Sequence, residues 1–89
     1  MRYTDIAHAR RSLSGSVIVW HNHQLGGQIA DRHLWVAEKN GDVIDYAGRD
    51  ALIRDALEEG ETVFVLRLHR NGTVSAQQAF AADLASLGG

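Results

Sequence analysis

The chain has 89 residues, of which nine are basic and eleven acidic, and its net charge is −2. This length predicts one domain, and the slight acidic excess disfavours a general nucleic-acid binder, because such proteins usually carry more basic than acidic residues. The chain contains no cysteine, which excludes disulfides, thiolate zinc sites and cysteine nucleophiles. No apolar run is long enough to span a membrane and no signal peptide opens the chain, so the expected compartment is the cytoplasm.

The first predicted element is a short helix over residues 4–13. Thr4 is the expected N-cap, and Asp5 lies where a negative charge favours the positive end of the helix dipole. Arg10 and Arg11 fall in the last turn, where cations are favourable. A helix this short persists only when packing supports it, so we expect it to contact the rest of the domain.

Two runs rich in β-branched and aromatic residues, Val17–Leu25 and Gln28–Ala37, flank Gly26-Gly27. This pattern predicts a β-hairpin with the two glycines as its turn. In the register that such a turn sets, Ile18 faces Trp35 on one side of the sheet. The base of this hairpin is apolar on both faces, so both faces need to be covered.

Asn40-Gly41 is the residue pair most typical of a tight hairpin turn, and it predicts a third strand over Asp42–Tyr46. In that register Trp35 faces Tyr46. One face of three neighbouring strands would then carry a cluster of large apolar side chains, which we expect to form an interface. Its members are Trp20, Trp35, Tyr46, Ile18 and Ile44.

The second strand of the first hairpin has an alternative. The apolar spacing over residues 28–39 also permits a helix that ends at Asn40-Gly41. The β-forming residues from His33 to Val36 favour the strand. A helix in this position would change both the register and the arrangement of the histidines.

Residues 49–59 are the clearest predicted helix, because their apolar residues form one stripe and Gly60 provides the stop. A strand over residues 62–70 follows. Asn71-Gly72 then predicts a second two-residue hairpin turn.

Ser75 with Gln78 resembles a capping box, which predicts that the last helix covers residues 76–87. The complete order of elements is α-β-β-β-α-β-β-α. This order is typical of a single α+β domain, with an antiparallel sheet of about five strands and helices mainly on one face.

His21 and His23 are two residues apart on a predicted strand, so their side chains leave the same face. This spacing allows two imidazoles to bind one metal ion, and the pair are candidate ligands. His33 points to the opposite face in the predicted register, so the third ligand that a site needs is missing. A solvated hairpin tip is the simpler interpretation.

The run from His33 to Gly48 resembles the histidine strand, turn and polar strand of papain-like folds, such as the NlpC/P60 and transglutaminase-like families. The resemblance implies that His33 would be a base and Asp45 the residue that orients it. The nucleophile of these families is a cysteine, which this chain lacks. A metal-binding or hydrolytic domain centred on His21, His23 and His33 is the first alternative function.

Arg67 and His69 share one face of a predicted strand, and Arg70 adjoins the following turn. Beside an exposed tryptophan, such side chains would bind phosphates while the indole stacks on bases. No nucleic-acid motif accompanies them. Weak nucleic-acid binding is therefore the second alternative, and a solvated charged strand is its simpler explanation.

The leading hypothesis is a small interaction module that binds the surface of a partner protein, without catalysis and without a cofactor. The chain is too short to bury all its large apolar residues against three helices, and tryptophan and tyrosine contribute strongly to interfaces. A homodimer is therefore expected. In general character the chain resembles small acidic regulators and inhibitors that phages encode, such as anti-CRISPR proteins.

Overall fold

The computed structural model describes residues 1–21 and 34–87. These residues form one six-stranded sheet with two helices on one face and one helix on the other, which confirms the predicted α+β class. The elements in chain order are β1 (Arg2–Tyr3), α1 (Ile6–Ser12), β2 (Val17–His21), β3 (Trp35–Lys39), β4 (Asp42–Ala47), α2 (Arg49–Glu58), β5 (Val63–Leu68), β6 (Val74–Ala79) and α3 (Ala81–Leu87).

The strands lie in the order β1-β6-β5-β2-β3-β4. All neighbouring pairs are antiparallel except β2 and β5, which are parallel, so the prediction of a purely antiparallel sheet is wrong at its centre. Parallel strands need a long crossover, and the connection from β2 to β5 contains β3, β4 and α2. The sixth strand, which was not predicted, is the short edge strand β1 beside β6.

The register between β2 and β3 differs from the predicted one. His21 rather than Ile18 lies opposite Trp35, a shift of three residues, and Trp20 lies opposite Val36. Because side chains alternate along a strand, an odd shift moves every side chain of β3 to the other face. Trp20 and Trp35 therefore lie on opposite faces of the sheet, and the predicted cluster on one face is wrong.

The predicted turn at Gly26-Gly27 lies outside the described residues. The same holds for residues 28–33 of the alternative helix. From Trp35 to Lys39 the chain is a strand, so the strand prediction is confirmed over that segment.

Asn40-Gly41 forms the predicted turn between β3 and β4. Both residues have positive φ angles, 53° and 85°, as a type I′ turn requires. A β-bulge then shifts the pairing by one residue, so that Trp35 lies opposite Ala47 rather than Tyr46. The bulge adds a residue on one strand only, which is why the register extrapolated from the turn fails beyond it.

The N-cap of helix α1 is Asp5 and not Thr4, one residue later than predicted. The Asp5 Oδ1 atom accepts a hydrogen bond of 2.8 Å from the backbone N–H of His8. A carboxylate in this position satisfies one of the unpaired N–H groups of the first turn and interacts favourably with the helix dipole.

The core consists of two apolar clusters, one on each face of the sheet. The face that α1 covers, here called the α1 face, contains Ala9, Leu13, Ile18, Trp20, Phe64, Leu66, Val74 and Ala76. The face that α2 and α3 cover, here called the α2 face, contains Val17, Val19, Ala37, Leu52, Ile53, Ala56, Val63 and Ala79, with Leu84 of α3 packed against them.

The prediction of a capping box at Ser75 and Gln78, with a helix from residue 76, is wrong. Strand β6 continues through Ser75 and Gln78 as far as Ala79, where it pairs with β5. The next helix, α3, begins at Ala81, and the carboxylate that accepts from the N–H of Phe80 is that of Asp83, at 2.7 Å. Tertiary pairing with β5 therefore overrides the local capping signal.

The predicted helix over residues 49–59 is confirmed as α2, with its apolar stripe buried. The turn at Asn71-Gly72 is longer than predicted, because the N–H of His69 donates to the carbonyl of Thr73 at 2.8 Å. No helix within the described residues is both long and apolar enough to cross a membrane.

Candidate functional site

Helix α2 divides its face of the sheet into two open cavities. The N-terminal end of α2 borders a cleft of about 620 Å³ together with β5, β6 and α3. Its C-terminal end borders a groove of about 360 Å³ together with β3 and β4. The first, here called the basic cleft, is lined by Trp35, Arg49, Arg67, His69, Ser75 and Gln77 among others. The second, here called the acidic groove, is lined by Lys39, Ile44, Asp45, Asp55, Glu59 and Glu61 over an apolar floor.

The acidic groove combines an apolar floor with a negative rim. Val17, Leu52 and Ala56 are buried beneath it. Its ionisable residues are four carboxylates and one ammonium, and Lys39 Nζ already donates to Glu61 Oε1 at 2.9 Å. The groove therefore keeps a net negative charge after the Lys39–Glu61 ion pair is counted. This charge favours a positively charged ligand, and the apolar floor favours one that also has apolar groups.

Strand β4, next to this groove, lies at one edge of the sheet and is exposed along most of its length. Five large apolar side chains among the described residues are exposed, and three of them belong to β4. These three are Val43, Ile44 and Tyr46, which are 36%, 54% and 41% exposed. Ile44 lines the acidic groove, whereas Val43 and Tyr46 lie opposite Glu38 and Val36 and so belong to the α1 side of the strand. Exposed apolar side chains concentrated on one strand mark surfaces that bind other molecules more often than isolated ones do.

A carboxylate protects this edge. The backbone N–H of Tyr46 donates to Oδ1 of Asp45 at 2.8 Å. Natural sheets commonly use charged residues and bulges to prevent uncontrolled pairing at an edge strand. Asp45 and the bulge in β4 are two such features. A partner strand that pairs with β4 must therefore replace the hydrogen bond between Asp45 and the N–H of Tyr46.

The basic cleft is organised around Trp35. The ring of His21 meets the indole edge to face at a centroid distance of 5.2 Å, and the guanidinium of Arg49 lies 6.0 Å from the centre of the indole. A cation at this distance from an indole is stabilised by the ring quadrupole. Arg49 also donates to Asp50 at 2.9 Å, but both side chains are more than a third exposed, so this pair binds weakly.

The opposite wall of the basic cleft belongs to the hairpin of β5 and β6. Arg67 lies directly opposite Ser75 and is exposed. His69 Nε2 is hydrogen-bonded to the hydroxyl of Ser75, which fixes the imidazole against the strand. The prediction that Arg67 and His69 share one side of the hairpin thus agrees with their common position in the cleft, whereas Arg70 is exposed in the turn beyond it.

A buried carboxylate on the α1 face was not predicted from the sequence. Glu38 is 2% exposed, and its Oε1 accepts from Trp20 Nε1 at 2.9 Å and from Arg10 Nε at 2.8 Å. Arg10 Nη2 also donates to Oε2 at 3.1 Å. The bidentate pair and the indole donor satisfy the carboxylate, so these three residues form a closed structural link between α1 and the sheet. The signal that could have identified Glu38 is its position two residues after Val36 on the same side of a strand.

The five residues predicted as an interface do not share one surface. Trp20 and Ile18 are 0% and 2% exposed and belong to the core of the α1 face. Trp35 is half-buried on the opposite face. Ile44 and Tyr46 are exposed on β4 and are the members that a partner can reach directly.

The metal-site prediction is only partly within the described residues. His21 packs on Trp35, while His23 and His33 lie outside the described residues. Within residues 1–21 and 34–87, no group of three or more histidine, aspartate or glutamate side chains is arranged to hold a metal ion. Asp45, the residue that the papain-like resemblance implies as the orienting acid, lies on β4 opposite Ala37.

The chain matches no model of a known protein family, no curated protein and no solved structure.

Proposed function

We propose that this chain is a small cytoplasmic protein-interaction module, of the regulator or inhibitor type, that acts by binding and not by catalysis. Its docking surface is β4 together with the acidic groove. The observation that carries the proposal is the concentration of exposed apolar side chains on this one edge strand. The occupant we propose is an extended segment of a partner protein that carries both apolar and basic side chains.

Charge complementarity supports this occupant. Six of the eleven acidic residues of the chain lie on β4 or at the C-terminal part of α2 and the turn after it. Complementary charge steers association and disfavours wrong partners. The residues that supply this negative charge are Asp42, Asp45, Asp55, Glu58, Glu59 and Glu61.

The position of β4 supports an extended segment. An edge strand can accept another strand, whose main chain supplies hydrogen bonds while alternate side chains enter neighbouring pockets. Ile44 and Asp45 both line the acidic groove, so a strand added beside β4 would lie within reach of its apolar floor. Such a strand would exchange the Asp45–Tyr46 hydrogen bond for one from its own carbonyl.

A second copy of the chain is the alternative occupant, as the expected homodimer requires. An antiparallel pair of β4 strands would bring the exposed Ile44 side chains together, but it would also place Asp42 and Asp45 of both copies within one short interface. Like charges across neighbouring strands are destabilising. We therefore propose a basic partner in preference to self-association.

The test uses two synthetic peptides that alternate valine with either lysine or glutamate. We expect the lysine peptide to bind isotopically labelled protein with amide shifts concentrated in residues 42–47 and 52–59, and the glutamate peptide to cause none. Ile44→Lys should weaken binding of the lysine peptide at least about tenfold, because it removes an apolar anchor and adds a like charge.

Phe80→Lys is the matched control, since Phe80 is 53% exposed and Ile44 is 54% exposed, but Phe80 lies outside the groove. Its affinity should stay within about twofold of the wild type, as expected for a surface change away from the site. Equal loss in both variants, or equal binding of both peptides, would contradict the proposal. Light scattering that gives twice the chain mass of 9.8 kDa, with the dimer lost in Ile44→Lys, would replace the partner with a second copy.

A further inference from the structure

The α2 face carries a row of basic and aromatic side chains that crosses neighbouring strands at the end of the sheet opposite the acidic groove. Arg67 lies opposite Ser75, and His21 lies opposite Trp35. The parallel register of β2 and β5 pairs Val19 with Val65. Two residues further along both strands, the same register places His21 beside Arg67. The row therefore runs from β6 through β5 and β2 to β3.

Further cations extend this row. Arg2 lies opposite Ser75 on β1, so the row begins at the far edge strand. Arg49 projects from α2 above Trp35, and His69 is fixed next to Ser75. We call this set the basic row: Arg2, Ser75, Arg67, His21 and Trp35, with Arg49 and His69 beside it.

We infer that the basic row is a binding site for single-stranded nucleic acid, separate from the protein-docking surface proposed above. Proteins that bind single strands combine a positive groove that follows the phosphates with aromatic side chains on which bases stack. The guanidinium groups of Arg2, Arg67 and Arg49 provide the first property. The half-buried indole of Trp35 provides the second, with a base taking the place that the Arg49 guanidinium holds 6.0 Å from the ring centre.

The length of the row favours a polymer over a small anion. Five neighbouring strands spaced about 4.8 Å apart span roughly 19 Å, whereas the basic cleft occupies only part of that distance. The phosphates of one strand in a duplex follow each other roughly every 3.4 Å along the axis, and an extended single strand spaces them more widely, so a few phosphates can lie along the row. A mononucleotide would fill the cleft near Trp35 but could not reach Arg2 as well.

The acidic excess of the whole chain does not oppose this site, because the charges are separated. The carboxylates of β4 and of the C-terminal part of α2 lie at the other end of the α2 face. Two acids adjoin the basic cleft: Asp50, which accepts from Arg49, and Asp83, which accepts from the N–H of Phe80. Their two carboxylates stand against the three guanidinium groups of the row, so the local charge balance stays positive.

The test is fluorescence anisotropy of a short fluorescein-labelled oligo-dT and its RNA equivalent with the full chain. We expect binding that weakens steeply between about 50 and 200 mM salt, because phosphate contacts release counterions. Arg67→Glu and Arg49→Glu should each weaken it at least about tenfold, and Trp35→Leu about tenfold through lost stacking. Arg67→Gln repeats the first test without a new charge.

Arg54→Glu is the matched control for Arg49→Glu, since it makes the same charge change on the same helix at an exposed residue outside the basic cleft. Its affinity should change less than about threefold, through long-range charge alone. Equal losses in the two variants, or binding of a polyglutamate peptide as tight as that of oligo-dT, would overturn the inference. So would AMP binding as tightly as the oligonucleotide. None of these outcomes bears on the lysine-peptide test, which addresses the other end of the face.

Discussion

The two faces of this sheet are made from the same strands, yet one is closed everywhere except at the edge strand β4 and the other is open. On the α1 face, Trp20, Val36 and Glu38 are at most 2% exposed. The α2 face is closed beneath α2 and opens into a cavity at each end of that helix. This difference assigns stability mainly to the first face and recognition mainly to the second, as is usual when binding surfaces are carried by a rigid scaffold.

Truncation of the buried carboxylate should strongly destabilise the α1 face. Glu38→Ala removes the partner of both Arg10 and the Trp20 N–H, and an unpaired charge left by a broken buried pair costs about 3–5 kcal/mol. Because the Arg10 side chain is 36% exposed, we expect the lower end of this range. Urea unfolding followed by tryptophan fluorescence measures the loss.

The double variant Arg10→Met with Glu38→Leu is the control for that measurement. It replaces both charges with apolar groups, which is often neutral or stabilising at a buried pair. It should recover at least half of the lost stability. A double variant as unstable as Glu38→Ala would show that the loss comes from the unpaired indole N–H of Trp20 and not from the unpaired guanidinium, because leucine fills the space that alanine leaves.

Adjacent residues on β5 give the sharpest comparison of the two faces. Leu66 is 1% exposed on the α1 face, and its neighbour Arg67 is exposed on the α2 face. Leu66→Ala should reduce the free energy of unfolding by about 2–5 kcal/mol through transfer and cavity terms. Arg67→Ala should change it by less than about 0.5 kcal/mol. Thermal and urea unfolding of the two variants measures both losses of stability. Equal losses in Leu66→Ala and Arg67→Ala would contradict the division of roles between the two faces.

The smallest expected effect compares the starts of the helices on the two faces. Asp5 caps α1, whereas α2 begins after Gly48, which provides no side-chain cap. Asp5→Ala should cost about 1 kcal/mol, and Gly48→Ser should gain a few tenths of a kcal/mol because serine supplies the missing acceptor. Gly48 has an extended backbone, and a Cβ there would meet no atom within 4 Å. Urea midpoints that move in the same direction for both variants would contradict the capping explanation.

The features that sequence predicted well depend on residues close together in the chain. The apolar stripe of residues 49–59 defined α2, and Asn40-Gly41 defined the turn between β3 and β4. The alternation of side chains along a strand was also sufficient to place Arg67 and His69 on the same side. In each case a short-range pattern and a local geometry agree.

The features that sequence missed depend on pairings between distant segments. Trp20 and Trp35 lie on opposite faces of the sheet because of the register between β2 and β3. A local sequence pattern does not determine that register when the connection between the strands is long. Glu38 can be buried because Arg10, which belongs to a different element, forms an ion pair with it. Likewise, the sequence grouped Ile44 and Tyr46 with Trp20 and Ile18 in one interface, and only the edge position of β4 explains why the first two are exposed and the others are buried.

The parallel pairing at the centre of the sheet also has a kinetic consequence. β2 must wait for a partner, β5, that follows two further strands and a helix in the chain, and contacts between such distant segments form slowly because the loop must close first. In stopped-flow refolding we therefore expect the hairpins β3–β4 and β5–β6 to form before β2 is inserted between them. Until that insertion, β3 and β5 each present an open edge, which is when two copies of the chain are most prone to aggregate.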